Sequence, residues 1–493
     1  MSSTLVETHY GKVQGTTDGD VSVWKGIPFA QPPLGELRFH APQKPVSWSG
    51  VRDATAFGAI SAQPAAIMGL FSATPELSSE DSLFLNIWSP GADDRQRPVL
   101  FWIHGGAFTA GSGSTAWYDG KAFASNGDVV VVTINYRLGA LGFLHLADVE
   151  GTDAGFSSNC GLLDQIAALE WVRDNIAAFG GDPANITIFG ESAGAMSIGA
   201  LLTMPQAKGL YQRAILQSGA SHNVRTSEKA TTITRAFMNA LNVQKATDLL
   251  SVPLEQLLEV QSTITVPGGG LPFEPVIDGK TLPQPPLDAI AHGSADGVSL
   301  LIGTNRDEMR LFTLMDPNEA VFKMPLLEKL FGEKAEQVAA LYEANAATRE
   351  DAWVDILTDR TFRIPALSLA DRALERGTPV WMYRFDWSSP AFGGQLKACH
   401  ALEVPFVWNN LDKQGVEMLT GDSPMRQKIA EDMHAAWIAF AYTGEPAIPR
   451  LPTWPAYHTD RRATMLFNEA YEVVNDPQGA ERRAWEESVS AAL

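Results

Sequence analysis

The chain has 493 residues, 37 lysines and arginines against 57 aspartates and glutamates, and two cysteines. A net charge of −20 repels phosphate backbones and anionic lipid heads, which weighs against nucleic-acid and membrane-surface binding. Two cysteines supply neither a disulfide framework nor a four-thiolate metal site, and 42 glycines with 30 prolines are ordinary usage, which excludes collagen-like or low-complexity structure.

In chain order, the first 50 residues carry short strand signals and then Pro32, Pro33, Pro42 and Pro45, predicting a small antiparallel flap. Apolar runs follow at Pro98–Ile103, Val129–Asn135, Ile186–Phe189, Ala214–Gln217, Val298–Gly303 and Val380–Phe385. Most are near-continuously apolar, as parallel strands buried on both faces must be. Between the second and third, Gly161–Phe179 places Leu162, Leu163, Ile166, Leu169, Val172 and Ile176 at spacings of one, three or four, predicting an amphipathic helix. Residues 222–297 and 313–375 read as helix- or loop-rich insertions. Strands alternating with helices predict an α/β fold with a mainly parallel sheet. With no internal repeat or long polar linker, residues 1–493 are expected to form one domain. No apolar run reaches the roughly 18 residues a membrane span needs. The N-terminus lacks a basic start followed by an apolar segment. A cytoplasmic chain is expected.

Gly190-Glu191-Ser192-Ala193-Gly194 follows the strand signal Ile186–Phe189 and precedes a helix-compatible stretch. A strand-to-helix turn tight enough to expose a serine oxygen crowds the backbone, and glycines two before and two after relieve it. The helix N-terminus beneath Ser192 would favour developing negative charge. A Gly-rich turn that only packs fits the same residues. Trp102-Ile103-His104-Gly105-Gly106-Ala107-Phe108 also ends a strand. Consecutive small residues there would let amides point inward as oxyanion donors. The alternative is a glycine-permitted turn in which the His104 ring bonds a carbonyl.

Residues 179–194, Phe-Gly-Gly-Asp-Pro-Ala-Asn-Ile-Thr-Ile-Phe-Gly-Glu-Ser-Ala-Gly, resemble the nucleophile signature of type-B carboxylesterases, the cholinesterase-like branch of the α/β-hydrolases. Glu80–Trp88 resembles the second signature of that family, and Asn135–Gly139 and Gly161–Gln165 match it too. The resemblance runs from about Thr8 to Tyr457, with the character of bacterial esterases of the para-nitrobenzyl type. It implies an α/β-hydrolase fold with helical insertions around an active-site gorge. Ser82 stands where secreted relatives carry a disulfide cysteine.

A serine nucleophile needs a base, and the base needs an orienting acid. In the implied fold the chain order is nucleophile, acid, histidine, which leaves His400, His434 and His458. His434 lies in a helical stretch and His458 in a charged turn. His400 follows Gly393-Gly394 and matches the family histidine. For the acid, spacing leaves Asp307 and Glu308 both open. The resemblance assigns Glu308 and leaves Asp307 as a solvated or capping carboxylate. It also implies backbone oxyanion donors at Gly106, Ala107 and Ala193, and a supporting hydroxyl at Ser218, where a plain loop hydroxyl fits as well. Arg38 with Glu80 and Arg137 with Asp164 resemble structural ion pairs of the family. Cys160 and Cys399 read as packing residues.

The activity implied is hydrolysis of a small-molecule carboxylic ester through an acyl-enzyme, without metal or cofactor, by a monomer or small homo-oligomer. An amidase or acyltransferase on the same residues is the enzymatic alternative. A non-catalytic adhesion relative would lack a triad residue, whereas all three are present here. Cholinesterase-like relatives hold a quaternary ammonium against a tryptophan in the loop before the second signature. The corresponding stretch here, Gln63 to Ser82, has no tryptophan and one aromatic, Phe71, so the resemblance implies a preference for esters of uncharged alcohols over choline esters.

Overall fold

The structure is a computed structural model that describes residues 4–64, 76–149, 155–266 and 270–489. Phe71 lies outside the described residues. Eleven strands form the large sheet among the described residues. In chain order they are β1 (Thr16–Asp18), β2 (Val21–Pro28), β3 (Phe84–Ser89), β4 (Arg97–Ile103), β5 (Val130–Ile134) and β6 (Gly181–Glu191). Then come β7 (Arg213–Gln217), β8 (Ser299–Asn305), β9 (Val380–Phe385), β10 (Ala463–Phe467) and β11 (Glu472–Asn475). Their spatial order is β11-β10-β9-β8-β7-β6-β4-β5-β3-β2-β1.

The stretch from β5 to β10 is parallel throughout, and the antiparallel pairs lie at the two ends. All six predicted core strands are in the parallel stretch. Their alternate residues enter two apolar clusters, because successive side chains of a strand point to opposite faces. Phe101, Ile103, Ile188, Leu216 and Ile302 pack on one face, and Leu100, Trp102, Phe189, Ile215 and Leu301 on the other. Each such side chain, fully buried, contributes about 1.5–3 kcal/mol.

Two helices, α1 (Cys160–Asn175) and α2 (Ala193–Leu201), supply residues to the first cluster, and α3 (Pro424–Thr443) supplies the second. The predicted helix at Gly161 begins one residue earlier and closes in a tight turn at Ile176–Phe179. It is not amphipathic in effect: Arg173 is its one exposed residue. Its polar Asp164 and Gln165 are buried with partners rather than solvated. The insertions are helical, with Ser227–Ala240 and Leu254–Thr263 in the first and Met324–Phe331, Ala335–Glu343, Arg349–Thr358 and Ile364–Leu374 in the second.

The N-terminal flap departs from expectation. Leu5–Thr8 and Gly11–Gln14 pair antiparallel, but Val51–Asp53 joins them in parallel, and β1 and β2 extend the large sheet instead. Short strands advertise their own pairing and not which neighbour they find.

Register positions the site. Ile103 pairs with Gly190, Glu191 with Gln217, and Gln217 with Gly303. The carboxyl ends of β4, β6, β7 and β8 are thus level, and the residues after each emerge together at one sheet edge, where open α/β sheets bind ligands.

Candidate active site

Ser192 sits between β6 and α2 with φ 55° and ψ −125°, a conformation few non-glycine residues adopt. The turn is held by Ser192 N–H donating to the Gln217 carbonyl at 2.9 Å and by Met196 N–H donating to the Ser192 carbonyl at 2.9 Å. A Cβ on Gly194 would stand 2.0 Å from the Ile103 carbonyl oxygen, so only glycine lets α2 approach β4 this closely. Ala193 is the first residue of α2, and its N–H has no acceptor within the helix.

The turn after β4 abuts this one. A Cβ on Gly105 would lie 3.1 Å from Ser192 Cβ. Gly106 has φ 110° and Ala107 φ 54°. The N–H groups of Thr109 and Ala110 both donate to the Gly106 carbonyl at 3.0 Å, folding the loop back. His104 is fully buried, stacked 4.5 Å from Tyr136, with Nδ1 2.8 Å from the Gly105 carbonyl. Burial drives its pKa down to about 4. It is the carbonyl-bonded packing ring of the alternative reading, while the turn around it carries the small residues.

The loop after β8 and the loop before His400 are tied together. Asp307 N–H donates to the Ala398 carbonyl at 2.9 Å, and Ala398 N–H donates to Asp307 Oδ2 at 3.1 Å. His400 N–H donates to the Glu308 carbonyl at 3.2 Å. Between the side chains, His400 Nδ1 lies 2.7 Å from Glu308 Oε2, and Glu308 Oε1 accepts from Asn305 N–H at 2.8 Å. Of the solvated and capping roles expected for Asp307, the solvated one fails. Asp307 is buried, and besides Ala398 it accepts from Arg306 Nε at 3.0 Å. Buried carboxylates need such donors.

Two further carboxylates complete the cluster. Glu191 Oε1 lies 3.1 Å from His400 Nε2. Glu403 is fully buried and accepts from Asn305 Nδ2 at 2.6 Å and Gln217 Nε2 at 3.1 Å. Burial pushes Glu191 up to about 8 despite the attraction of His400, with Glu403 and Glu308 adding to the rise. Burial also raises Glu403, with Glu308 adding to it. For His400, burial works against the imidazolium, but Glu191, Glu308 and Glu403 outweigh it and push the ring up to about 9. Glu191, Glu403 and His400 thus hold their protons to higher pH than isolated side chains would.

Ser192, His400 and Glu308 thus stand with the small-residue turn at one sheet edge. The family model described as the carboxylesterase family matches residues 2–485. The chain belongs to the carboxylesterase family. It is 44% identical to the para-nitrobenzyl esterase of Bacillus subtilis over 98% of both chains, and 37% identical to the phenmedipham hydrolase of Pseudarthrobacter oxydans over 96% of this chain and 97% of that one. A crystal structure of a Geobacillus stearothermophilus carboxylesterase matches with a TM-score of 0.89 at 47% identity, covering 98% of this chain and all of that one. The fold is that of the α/β-hydrolases, and the protein is a carboxylic ester hydrolase.

The remaining expected residues of the esterase have clear places. Arg38 binds Glu80 through two bonds of 2.8 and 2.6 Å and also donates to the carbonyls of Leu249 and Val252. Arg137 binds Asp164 in the same way at 2.8 and 2.7 Å. His434 is buried against Phe123 with Nδ1 2.9 Å from the Val407 carbonyl, and His458 is exposed. Cys160 and Cys399 are free and buried. Ser82 Oγ lies 3.0 Å from Ser61 Oγ. Ser218 is buried with φ 51°, and its hydroxyl has no hydrogen-bond partner among the described residues.

Sequence reasoning passed over Glu191, Glu403, Asn305 and Gln217. Glu191 stood inside the serine motif and Glu403 three residues past the histidine. A carboxylate in an otherwise apolar or small-residue run was the available signal. Asn305 and Gln217 end core strands, and nothing in their spacing marks them. Among the described residues no helix is long and apolar enough to cross a membrane.

Proposed function

We propose that Ser192, His400 and Glu308 carry out the ester hydrolysis through an acyl-enzyme. The observation that carries this reading is the His400–Glu308 contact of 2.7 Å on loops tied beside the Ser192 turn. His400 Nε2 takes the hydroxyl proton as Ser192 Oγ attacks the ester carbonyl. Glu308, at Nδ1, holds the ring in that tautomer and stabilises its charge. The N–H groups of Gly106, Ala107 and Ala193 receive the oxyanion, each such donor being worth about 2.7–4 kcal/mol in related chemistry. His400 returns the proton to the departing alcohol, and water repeats the sequence on the acyl-serine. Ser192→Ala, assayed on a panel of chromogenic esters, tests this. Abolished turnover on every ester supports it, and turnover within tenfold of the parent overturns it.

The preferred substrates are short to medium acyl esters of uncharged, often aryl, alcohols. Attraction of a cation to the −20 net charge is screened within about 8 Å at physiological salt, whereas a missing tryptophan face costs roughly 0.5–2 kcal/mol at contact. The kcat/KM for butyrylcholine should fall below that of an uncharged butyrate ester of similar reactivity. The reverse ratio would contradict it. The enzyme acts as a monomer or small homo-oligomer in the cytoplasm, a placement that suits two unpaired, buried cysteines.

A further inference from the structure

Glu308 at Nδ1, 2.7 Å away, and Glu191 at Nε2, 3.1 Å away, hold the two edges of the imidazole, but neither packs against its faces, which leaves the ring free to tip out of its plane. Two phenyl rings oppose this. The Phe362 ring centroid lies 4.8 Å from that of His400 with planes inclined 37°, and Phe312 lies at 5.1 Å and 42°. The two phenyl rings are nearly parallel to each other, 13° apart in plane at 6.4 Å. Phe312 follows Glu308 by four residues, on Arg310–Met315. Phe362 comes from much further along the chain, from an unusual turn.

That turn, Asp359–Arg363, is π-helical and joins Arg349–Thr358 to Ile364–Leu374. A π-turn holds one residue more than an α-turn, which advances the following side chains by about 100° around the axis. Such turns are rare, and many lie at functional sites. This one is braced. Arg363 donates from Nε to Asp359 Oδ1 at 2.5 Å and from Nη2 to Asp359 Oδ2 at 2.6 Å, and both residues are buried. The Tyr342 hydroxyl also donates to Asp359 and accepts from Trp485 Nε1 at 2.9 Å. Asp359, Arg363, Tyr342 and Trp485 thus brace the turn that carries Phe362.

We propose that Phe362, aimed by the π-turn and backed by Phe312, is a positioning residue that holds the His400 imidazole in its reactive orientation. The inference rests on the reading of His400 as the general base. Phe362 touches the base, so its loss should act on turnover and leave ground-state substrate binding nearly unchanged. A misdirected base costs rate steeply, since displacements of about 1 Å can cost 10²-fold.

The test compares Phe362→Ala and Phe362→Leu with Phe237→Ala, a fully buried ring of the same apolar cluster that packs edge-on against Phe273. Phe362→Ala should lower kcat about tenfold with KM changed less than about twofold, and Phe362→Leu should fall between it and the parent. Alanine also admits water beside a ring faced by Glu191, Glu308 and Glu403. Hydration favours the imidazolium, so the acid limb of kcat/KM moves to higher pH in Phe362→Ala and stays put in Phe362→Leu. Phe237→Ala should lose thermal stability without losing kcat. If Phe362→Ala does not fold, the kcat and KM of Phe362→Leu decide alone.

A raised KM at unchanged kcat would make Phe362 a pocket wall and overturn the proposal. So would a kcat loss that Phe237→Ala reproduces. Turnover retained by Ser192→Ala would instead overturn the catalytic reading beneath it, whatever Phe362 does.

Discussion

The nucleophile side and the base side of this site are built in different ways. Around Ser192 nearly everything is backbone: a strand end, a strained φ, a glycine pressed against β4, and N–H groups at a helix start and a tight turn. Around His400 nearly everything is side chain. Glu308 arrives from 92 residues away in sequence, Asn305 and Gln217 from neighbouring strand ends, and Glu191 from the far side of the imidazole. A backbone turn either forms or does not, whereas a side-chain cluster can be adjusted one charge at a time. Substitutions on the first side should therefore be all-or-none in rate, and substitutions on the second graded and dependent on pH.

The largest effect tests the first half of that contrast. Ser192→Ala should lower kcat by about 10⁶, the scale seen when a serine nucleophile is removed from another triad. KM should move little, because the hydroxyl adds little to ground-state binding. Steady-state kinetics with contaminating esterase excluded would check it, and a loss of only a few fold would mean that another group attacks.

Next in size is Glu308→Gln, expected to lower kcat by about 10⁴ by favouring the wrong tautomer of His400. Asp307→Asn keeps an oxygen able to accept from Ala398 N–H and should cost less than about tenfold. Equal losses for the two variants would move the acid by one residue and break the account of the base side.

The smallest effect in rate sharpens the comparison most. Glu191→Gln removes a charge 3.1 Å from His400 Nε2 and should leave maximal kcat within about tenfold of the parent. Its signature is in pH. His400 must be neutral to accept a proton, and its pKa is raised, so the activity of the parent is lost as pH falls through that value. Without the Glu191 charge the pKa falls, and the acid limb of kcat/KM moves to lower pH. An unmoved limb would mean that Glu191 does not act on the base.

The same division explains what could be read from sequence. The Ser192 turn was legible because strand, glycine spacing and helix are contiguous in the chain. The parallel sheet was legible because strands buried on both faces must be apolar throughout. Spacing left Asp307 and Glu308 open because neighbours in a loop diverge in direction, and the choice came from family resemblance. Asn305 and Gln217 were invisible because their roles depend on a register that levels four strand ends, a property of the sheet and not of any segment. The burial of Asp307 was missed for a similar reason. Its donor, Ala398, lies 91 residues away.

One measurement bears on both sides at once: the rate at which a fluorophosphonate inactivates the enzyme as a function of pH, with the adduct mapped by peptide mass spectrometry. The account predicts a single adduct on Ser192, formed at a rate that rises with pH along one titration whose midpoint lies above the usual imidazole value near 6.5. An adduct on any other residue, or a rate independent of pH across that range, would contradict it.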